Sequence, residues 1–292
     1  MASLAVPLIE GVGARILTEL GVVVVAGAAG ELSLLFQSIL RNAPPRNGIP
    51  AMKRPYELTT IFRQPGALHV PAMLTELHSI RQELKACSPL LDEWLLKGNT
   101  KDEAYRYEVF DSAGPTTAAI AVLTDSLKTT VDPKIVSMWN GKEGPEGASL
   151  QYVGRVAPET SMIVLRAKPA AFSLSAEPIL KLVLAEVSLL APCVVTVETA
   201  SYFDKKVFKD RPGVGWMLYL PHALTIQQVP EARALLPVMG KGKNGQDMQT
   251  GTILVSVTDE PFSDENPEHV KIANAIEIRL VDQDLLPRFA DL

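Results

Sequence analysis

The chain contains few of the residues from which metal sites and disulfide frameworks are built. Its 292 residues include only four histidines and two cysteines. The histidines form no H-E-x-x-H pair and no cluster with cysteine, so we expect neither a metal site based on these residues nor a bound cofactor. Cys87 follows a helical pattern and Cys193 begins an apolar run, and we expect both to be buried free thiols, which is compatible with the cytoplasm.

The chain also lacks an excess of positive charge. Its 28 Lys and Arg are outnumbered by 33 Asp and Glu, which gives a net charge of −5. Direct nucleic-acid binding needs a basic face, so we do not expect it. Residues 1–50 carry three basic and three acidic groups, and the whole −5 therefore lies in residues 51–292. A mildly acidic body of this kind suits a basic partner.

The N-terminus is apolar but lacks the marks of a signal peptide or a membrane span. Its first positive charge is Arg15, after the first apolar run, and its densest apolar run, residues 20–30, is about half the roughly 20 residues that a span needs. We expect an apolar helical segment over residues 1–45. Residues 42–50 hold three prolines and a glycine, which is typical of a linker, so we expect one further domain over residues 51–292. A membrane-associated binding protein remains an alternative, although a membrane partner is not favoured.

The pattern of apolar residues in the body predicts an α+β fold. Strands occur singly and in runs among helices of uneven spacing, which favours a mixed or mostly antiparallel sheet flanked by helices. A strand or short helix is expected over residues 89–96. Strands are expected over residues 55–63, 136–141, 148–156, 161–167, 194–197, 217–220 and 252–257, and helices over residues 70–86, 101–110, 116–127, 176–190 and 267–286.

Two glycine-rich stretches resemble phosphate-binding loops, but neither is followed by the helix that such a loop requires. Residues 240–245, GKGKNG, match G-x-G-x-x-G, but only six residues separate them from the next predicted strand. No crossover helix fits in that space, so a surface loop is predicted. Gly213 and Gly215 are followed by a strand-like run and not by a helix N-terminus, and we interpret them as a turn that feeds a strand.

Candidate site residues are few. The carboxylates Glu57 and Glu93, or Asp204 and Asp210, keep open the alternative of an enzyme with a carboxylate site, but no catalytic triad or G-x-S-x-G motif is present and no catalytic residue is assigned. Aromatic residues dominate protein interfaces, although core packing is their commoner role. The positions chosen as candidate partner contacts are Trp139, Asn140, Lys209, Asp210, Arg211 and Tyr219.

Four motifs together resemble a known family. In order they are Trp139-Asn140-Gly141, RPGVGWMLYLP at residues 211–221, QVPEAR at 228–233 and GTILVSV at 251–257. They resemble bacterial immunity protein family 52 of the polymorphic-toxin systems, over about residues 54–292. The resemblance implies a stoichiometric inhibitor and not an enzyme. It also implies a cognate effector with a restriction-endonuclease fold that attacks DNA and is delivered by type VI secretion, and a cytoplasmic inhibitor that protects the producing cell. The family offers no catalytic residues to carry over.

Overall fold

The structure is a computed structural model that describes residues 54–64, 68–172, 175–241 and 246–292. The expected apolar helical segment over residues 1–45 and the linker that follows it lie outside the described residues.

A nine-stranded sheet organises the described residues. Its order is β2-β3-β4-β5-β1-β6-β7-β9-β8, and all neighbouring strands are antiparallel. The predicted α+β class with an antiparallel sheet is therefore confirmed. The strands are β1 (Tyr56–Arg63), β2 (Leu95–Leu96), β3 (Lys134–Trp139), β4 (Ala148–Gly154), β5 (Thr160–Ala167), β6 (Val194–Thr199), β7 (Met217–Leu220), β8 (Ala234–Lys241) and β9 (Asp247–Val255).

Helices cover one face of the central strands. The described helices are α1 (Val70–Ser79), α2 (Arg81–Cys87), α3 (Lys101–Ala104), α4 (Thr117–Ser126), α5 (Ala176–Leu190) and α6 (Pro267–Asp282). Thr60 of β1 donates a hydrogen bond to the Glu186 carboxylate of α5, and the Tyr152 hydroxyl of β4 donates to Glu76 of α1 at 2.7 Å. Both strand residues pair with Ile163 of β5 and so point to the same side of the sheet.

Two predicted helices are divided or shortened in the structure. The helix expected over residues 70–86 is two helices, α1 and α2, which meet at Ile80. The helix expected over residues 101–110 ends after one turn, at Ala104. The chain beyond it runs extended beside β2, because the backbone N–H of Leu96 donates to Tyr107 and that of Val109 donates to Trp94. Tertiary pairing here overrides the local helical pattern.

The hairpin of β8 and β9 was only partly predicted. Strand β9 begins five residues earlier than expected, and β8 was not predicted as a strand. Gly240 and Lys241, the first two residues of the GKGKNG stretch, pair with Met248 and Asp247 at the ends of β8 and β9, and residues 242–245 lie outside the described residues. A strand and not a helix follows its glycines, as the sequence predicted.

Candidate partner-binding surface

Gly213 and Gly215 let residues 207–216 cross tightly over strand β6. A Cβ on Gly215 would lie 2.4 Å from Glu198 Cβ and 2.8 Å from the carbonyl oxygen of Val197, and the Gly215 φ is +48°. A Cβ on Gly213 would lie 2.5 Å from Glu198 Oε2. Trp216 then pairs with Val197 and the chain enters β7. The predicted turn that feeds a strand is confirmed, and the glycines serve backbone approach.

A buried polar network lies under this turn. The Glu277 carboxylate of α6 accepts hydrogen bonds from the Tyr202 hydroxyl at 2.7 Å and from the backbone N–H groups of Val207 and Val214 at 2.9 and 3.2 Å. Burial raises the pKa of Glu277, and these hydrogen bonds oppose the rise. The network ties the turn to α6, which gives it a structural role.

Glu198 and Lys206 form the most unusual electrostatic feature beside the turn. Burial raises the pKa of the Glu198 carboxyl, while the charge of Lys206 acts in the opposite direction. Burial likewise lowers the pKa of Lys206, whose ammonium donates to the carbonyl of Arg211 at 2.6 Å. Glu198 Oε2 has no hydrogen-bond partner among the described residues. Glu198 lines a small cavity of about 10 Å³, which has room for roughly one water molecule.

The carboxylates considered for an enzyme occupy unrelated positions. Glu57 also lines the small cavity, but its carboxylate is committed to an ion pair with Arg166, at 2.6 Å. Glu93, Asp204 and Asp210 are exposed. In the part of the chain that the structure describes, no group of three or more His, Cys, Asp or Glu side chains is arranged to hold a metal ion.

The charged start of the 207–221 stretch holds the C-terminal segment. Lys209 donates to the carbonyl of Phe203, and the Arg211 guanidinium donates to the carbonyl of Leu286. The carbonyl of Asp210 accepts from the backbone N–H of Phe289 at 2.9 Å. Lys209 and Asp210 remain exposed and Arg211 is half-buried, so the three candidates keep part of their surface. Asp210 and Arg211 anchor the chain end, whereas Lys209 contacts Phe203.

Tyr219 lies inside the fold. Strand β7 has β6 on one side and β9 on the other, and all four of its residues are buried. The exposed fraction of Tyr219 is 4%. The preceding Trp216 is 1% exposed and donates its indole N–H to the carbonyl of Val257 at 3.0 Å. Residues 217–220 therefore form an interior strand of the sheet, and the exposed residues of the stretch lie at its two ends, at Val207, Lys209, Asp210 and Pro221.

Asn140 organises the loop that follows β3. Its amide N–H group donates to the carbonyls of Leu90 and Glu146, at 3.1 and 2.8 Å. Its Oδ1 accepts from the backbone N–H groups of Lys142 and Ala148, at 3.3 and 2.8 Å. This buried side chain thus closes the loop of residues 140–148 on itself and fixes the acidic residues that the loop presents.

Trp139 supports an exposed aromatic ring that the sequence analysis missed. The half-buried Trp139 donates its indole N–H to the carbonyl of Ala104 at 3.0 Å. The ring of Tyr105 packs edge-on against it, with 4.9 Å between centroids and 73° between planes. Tyr105 is 44% exposed, and its hydroxyl donates to the Glu143 carboxylate at 3.4 Å. We call Tyr105, Trp139 and Glu143 the aromatic patch.

The turn that carries Tyr105 is built by local contacts. Thr100 caps α3 by accepting from the backbone N–H of Glu103 at 3.2 Å, and the Glu103 carboxylate accepts in return from Asn99. A Cβ on Gly98 would lie 2.5 Å from the backbone nitrogen of Ala104, so glycine is required for this close crossing. The cap was visible in the sequence, but the helix was expected to continue past Tyr105, which hid the exposed ring.

The structure does not bring the two groups of candidate contacts together. Trp139 ends β3, near one edge of the sheet, whereas the 207–221 stretch feeds β7, and four strands lie between them.

No described helix is long and apolar enough to cross a membrane.

Comparison with known proteins adds a family match. Residues 71–288 match the family model described as immunity protein 52. This region contains eight of the nine described strands, the aromatic patch and the 207–221 stretch. A solved structure of a Pseudomonas aeruginosa T6SS protein is similar with a TM-score of 0.46 and 11% identity, covering 78% of this chain and 75% of that chain. A search of curated proteins gives no match.

Proposed function

This chain belongs to the immunity protein 52 family, and from that membership we propose that it binds and neutralises a cognate DNase toxin of restriction-endonuclease fold, delivered by type VI secretion. The observation that carries the proposal is the match of residues 71–288 to the family. An immunity protein acts as a binding partner in a stoichiometric complex, and its function therefore depends on a surface and not on a catalytic pocket.

The charge of the chain supports a nuclease as the partner. A DNase must attract phosphate, so its surface carries basic groups. The net charge of −5 gives this chain the opposite sign. Opposite charges raise the rate of encounter more than they raise affinity. A tight complex would bury roughly 1,600 Å² in total around a few aromatic or Arg anchors.

The proposed location is the cytoplasm of the producing cell, because a DNase threatens the chromosome there. Fractionation of cells that make the full chain tests this location. Recovery in the cytoplasmic fraction without detergent is expected. Recovery with the periplasmic or membrane fraction would contradict it.

Co-expression with the proposed cognate toxin tests the function. Cells that make the toxin alone should lose viability and chromosomal DNA, and cells that make both proteins should keep both. A catalytically inactive toxin is the matched control for expression load. If cells die equally fast with and without this chain, the proposal of neutralisation is wrong. If the chain protects cells in which the toxin leaves DNA intact, immunity stands and the DNase target is wrong.

A further inference from the structure

We propose that the aromatic patch is the centre of the docking surface for the toxin and that it receives a basic face of that protein. This inference rests on the proposed function. It identifies Tyr105 as the anchor and the neighbouring carboxylates as the groups that steer the partner.

Tyr105 has the properties of an interface anchor before any partner binds. With 44% of its surface exposed, it is the one aromatic residue among the large exposed hydrophobic side chains of the described residues. The edge-on contact with Trp139 and the hydrogen bond to Glu143 hold its ring in place. Since a side chain that is already ordered loses little entropy on binding, a fixed ring of this size contributes strongly at an interface.

Acidic residues outnumber basic residues in the two segments that carry Tyr105 and Glu143. Glu143, in the loop of residues 140–148, accepts a hydrogen bond from the Tyr105 hydroxyl. Glu108 lies opposite Leu95 in an isolated backbone β-bridge, and Leu95 in turn pairs with Trp139. Residues 99–108 and 140–147 together hold five acidic and three basic groups, so this surface is acidic. The acidic residues of these segments are Asp102, Glu103, Glu108, Glu143 and Glu146.

Other exposed features of the described residues fit docking less well. At residues 209–211, the Arg211 guanidinium and the Asp210 carbonyl already hold the C-terminal segment, and the Lys209 ammonium is bonded to the carbonyl of Phe203. Met239 and Met248 are 60% and 51% exposed on β8 and β9, but Met239 pairs with Gln249 and Met248 with Gly240, so the two side chains point to opposite faces of the sheet and form no common surface. The aromatic patch combines a fixed ring, a supporting indole and opposite charge to a nuclease, which favours it as the centre of contact.

The test uses the full chain and a catalytically inactive form of the proposed cognate toxin. Association and dissociation rates are measured by biolayer interferometry at low and at physiological salt. One variant is Tyr105→Ala, and its control is Val131→Ala, which removes an 81% exposed side chain elsewhere. The second variant removes three exposed charges by Glu108→Gln, Glu143→Gln and Glu146→Gln. Its control removes three exposed charges elsewhere by Asp259→Asn, Glu265→Gln and Asp282→Asn.

Tyr105→Ala is expected to weaken affinity about tenfold or more, mainly through faster dissociation. The triple Gln variant is expected to slow association several-fold and to reduce its salt dependence beyond its control. A folded Tyr105→Ala variant that binds within twofold of the wild type would overturn the inference and leave the proposed function intact. If that variant does not fold, an unchanged association rate in the triple Gln variant would overturn it. Failure of the wild-type chain to bind would overturn the proposed function as well.

Discussion

Gly215→Ala should lower the free energy of unfolding more than a glycine-to-alanine substitution at a position where the added Cβ meets no other atom. The φ of +48° is unfavourable for alanine by about 1–2 kcal/mol. The added Cβ would also meet Glu198 Cβ at 2.4 Å and the Val197 carbonyl oxygen at 2.8 Å. These atoms belong to β6, which β1 and β7 hold from both sides, so they cannot move aside easily. Overpacking of this kind costs about 1–3 kcal/mol, which brings the expected loss to roughly 2–5 kcal/mol.

Gly144→Ala is the matched control. Gly144 has a φ of +68°, and a Cβ there would meet nothing within 4 Å. The loss of unfolded-state entropy on replacing glycine by alanine is common to both variants, so it cancels in the comparison. Urea unfolding followed by far-UV circular dichroism gives the free energy of unfolding. We expect Gly215→Ala to lose at least about 1 kcal/mol more than Gly144→Ala. A difference below about 0.5 kcal/mol would refute the steric reading of the RPGVGW turn.

Three further perturbations test the core, the loop and the domain boundary. Burial raises the pKa of Glu186 to about 8, so this carboxyl favours the folded state when protonated and opposes it when ionised. Stability should therefore fall between about pH 5 and 8, by up to about 1.4 kcal/mol per pH unit, and Glu186→Gln should flatten the fall; an equal pH dependence in both proteins would contradict this. Asn140→Ala leaves the partners of four hydrogen bonds unsatisfied and should lower the free energy of unfolding by about 2–4 kcal/mol, whereas a loss under about 0.5 kcal/mol would mean that the loop holds without it. Deletion of residues 1–45 should leave a body that unfolds cooperatively in urea, and a non-cooperative transition would show that the segment belongs to the core.

Local composition and local caps made most of the sheet and the last helix predictable. Strand β1 is rich in β-branched and aromatic residues, and β1, β4 and β5 are buried along nearly their whole length in the core of the sheet. Asn266 caps α6 by accepting from the backbone N–H of Glu268 at 3.0 Å, as its place before Pro267 predicted. These features depend on neighbours in sequence, which is why the sequence reveals them.

Features that depend on distant contacts were not predictable. Strand β8 contains Pro237 and Gly240, which disfavour strand formation, and it forms because β9 pairs with it along its length. Tyr105 follows a well-capped helical start, and only its contact with Trp139, 34 positions later, shows that the chain turns outward there. The burial of Glu198 Oε2 without a hydrogen-bond partner likewise depends on residues 211–215, which pack over Glu198 in the structure.

The most direct test of the central claim is the affinity between the purified full chain and its proposed cognate toxin. The affinity is measured by isothermal titration calorimetry with the inactive toxin and is paired with a DNA-cleavage assay of the active toxin. We predict a saturable complex of defined stoichiometry, with cleavage falling to zero as that stoichiometry is reached. Absence of heat and unchanged cleavage at an excess of this chain would contradict the assignment as an inhibitor of that toxin.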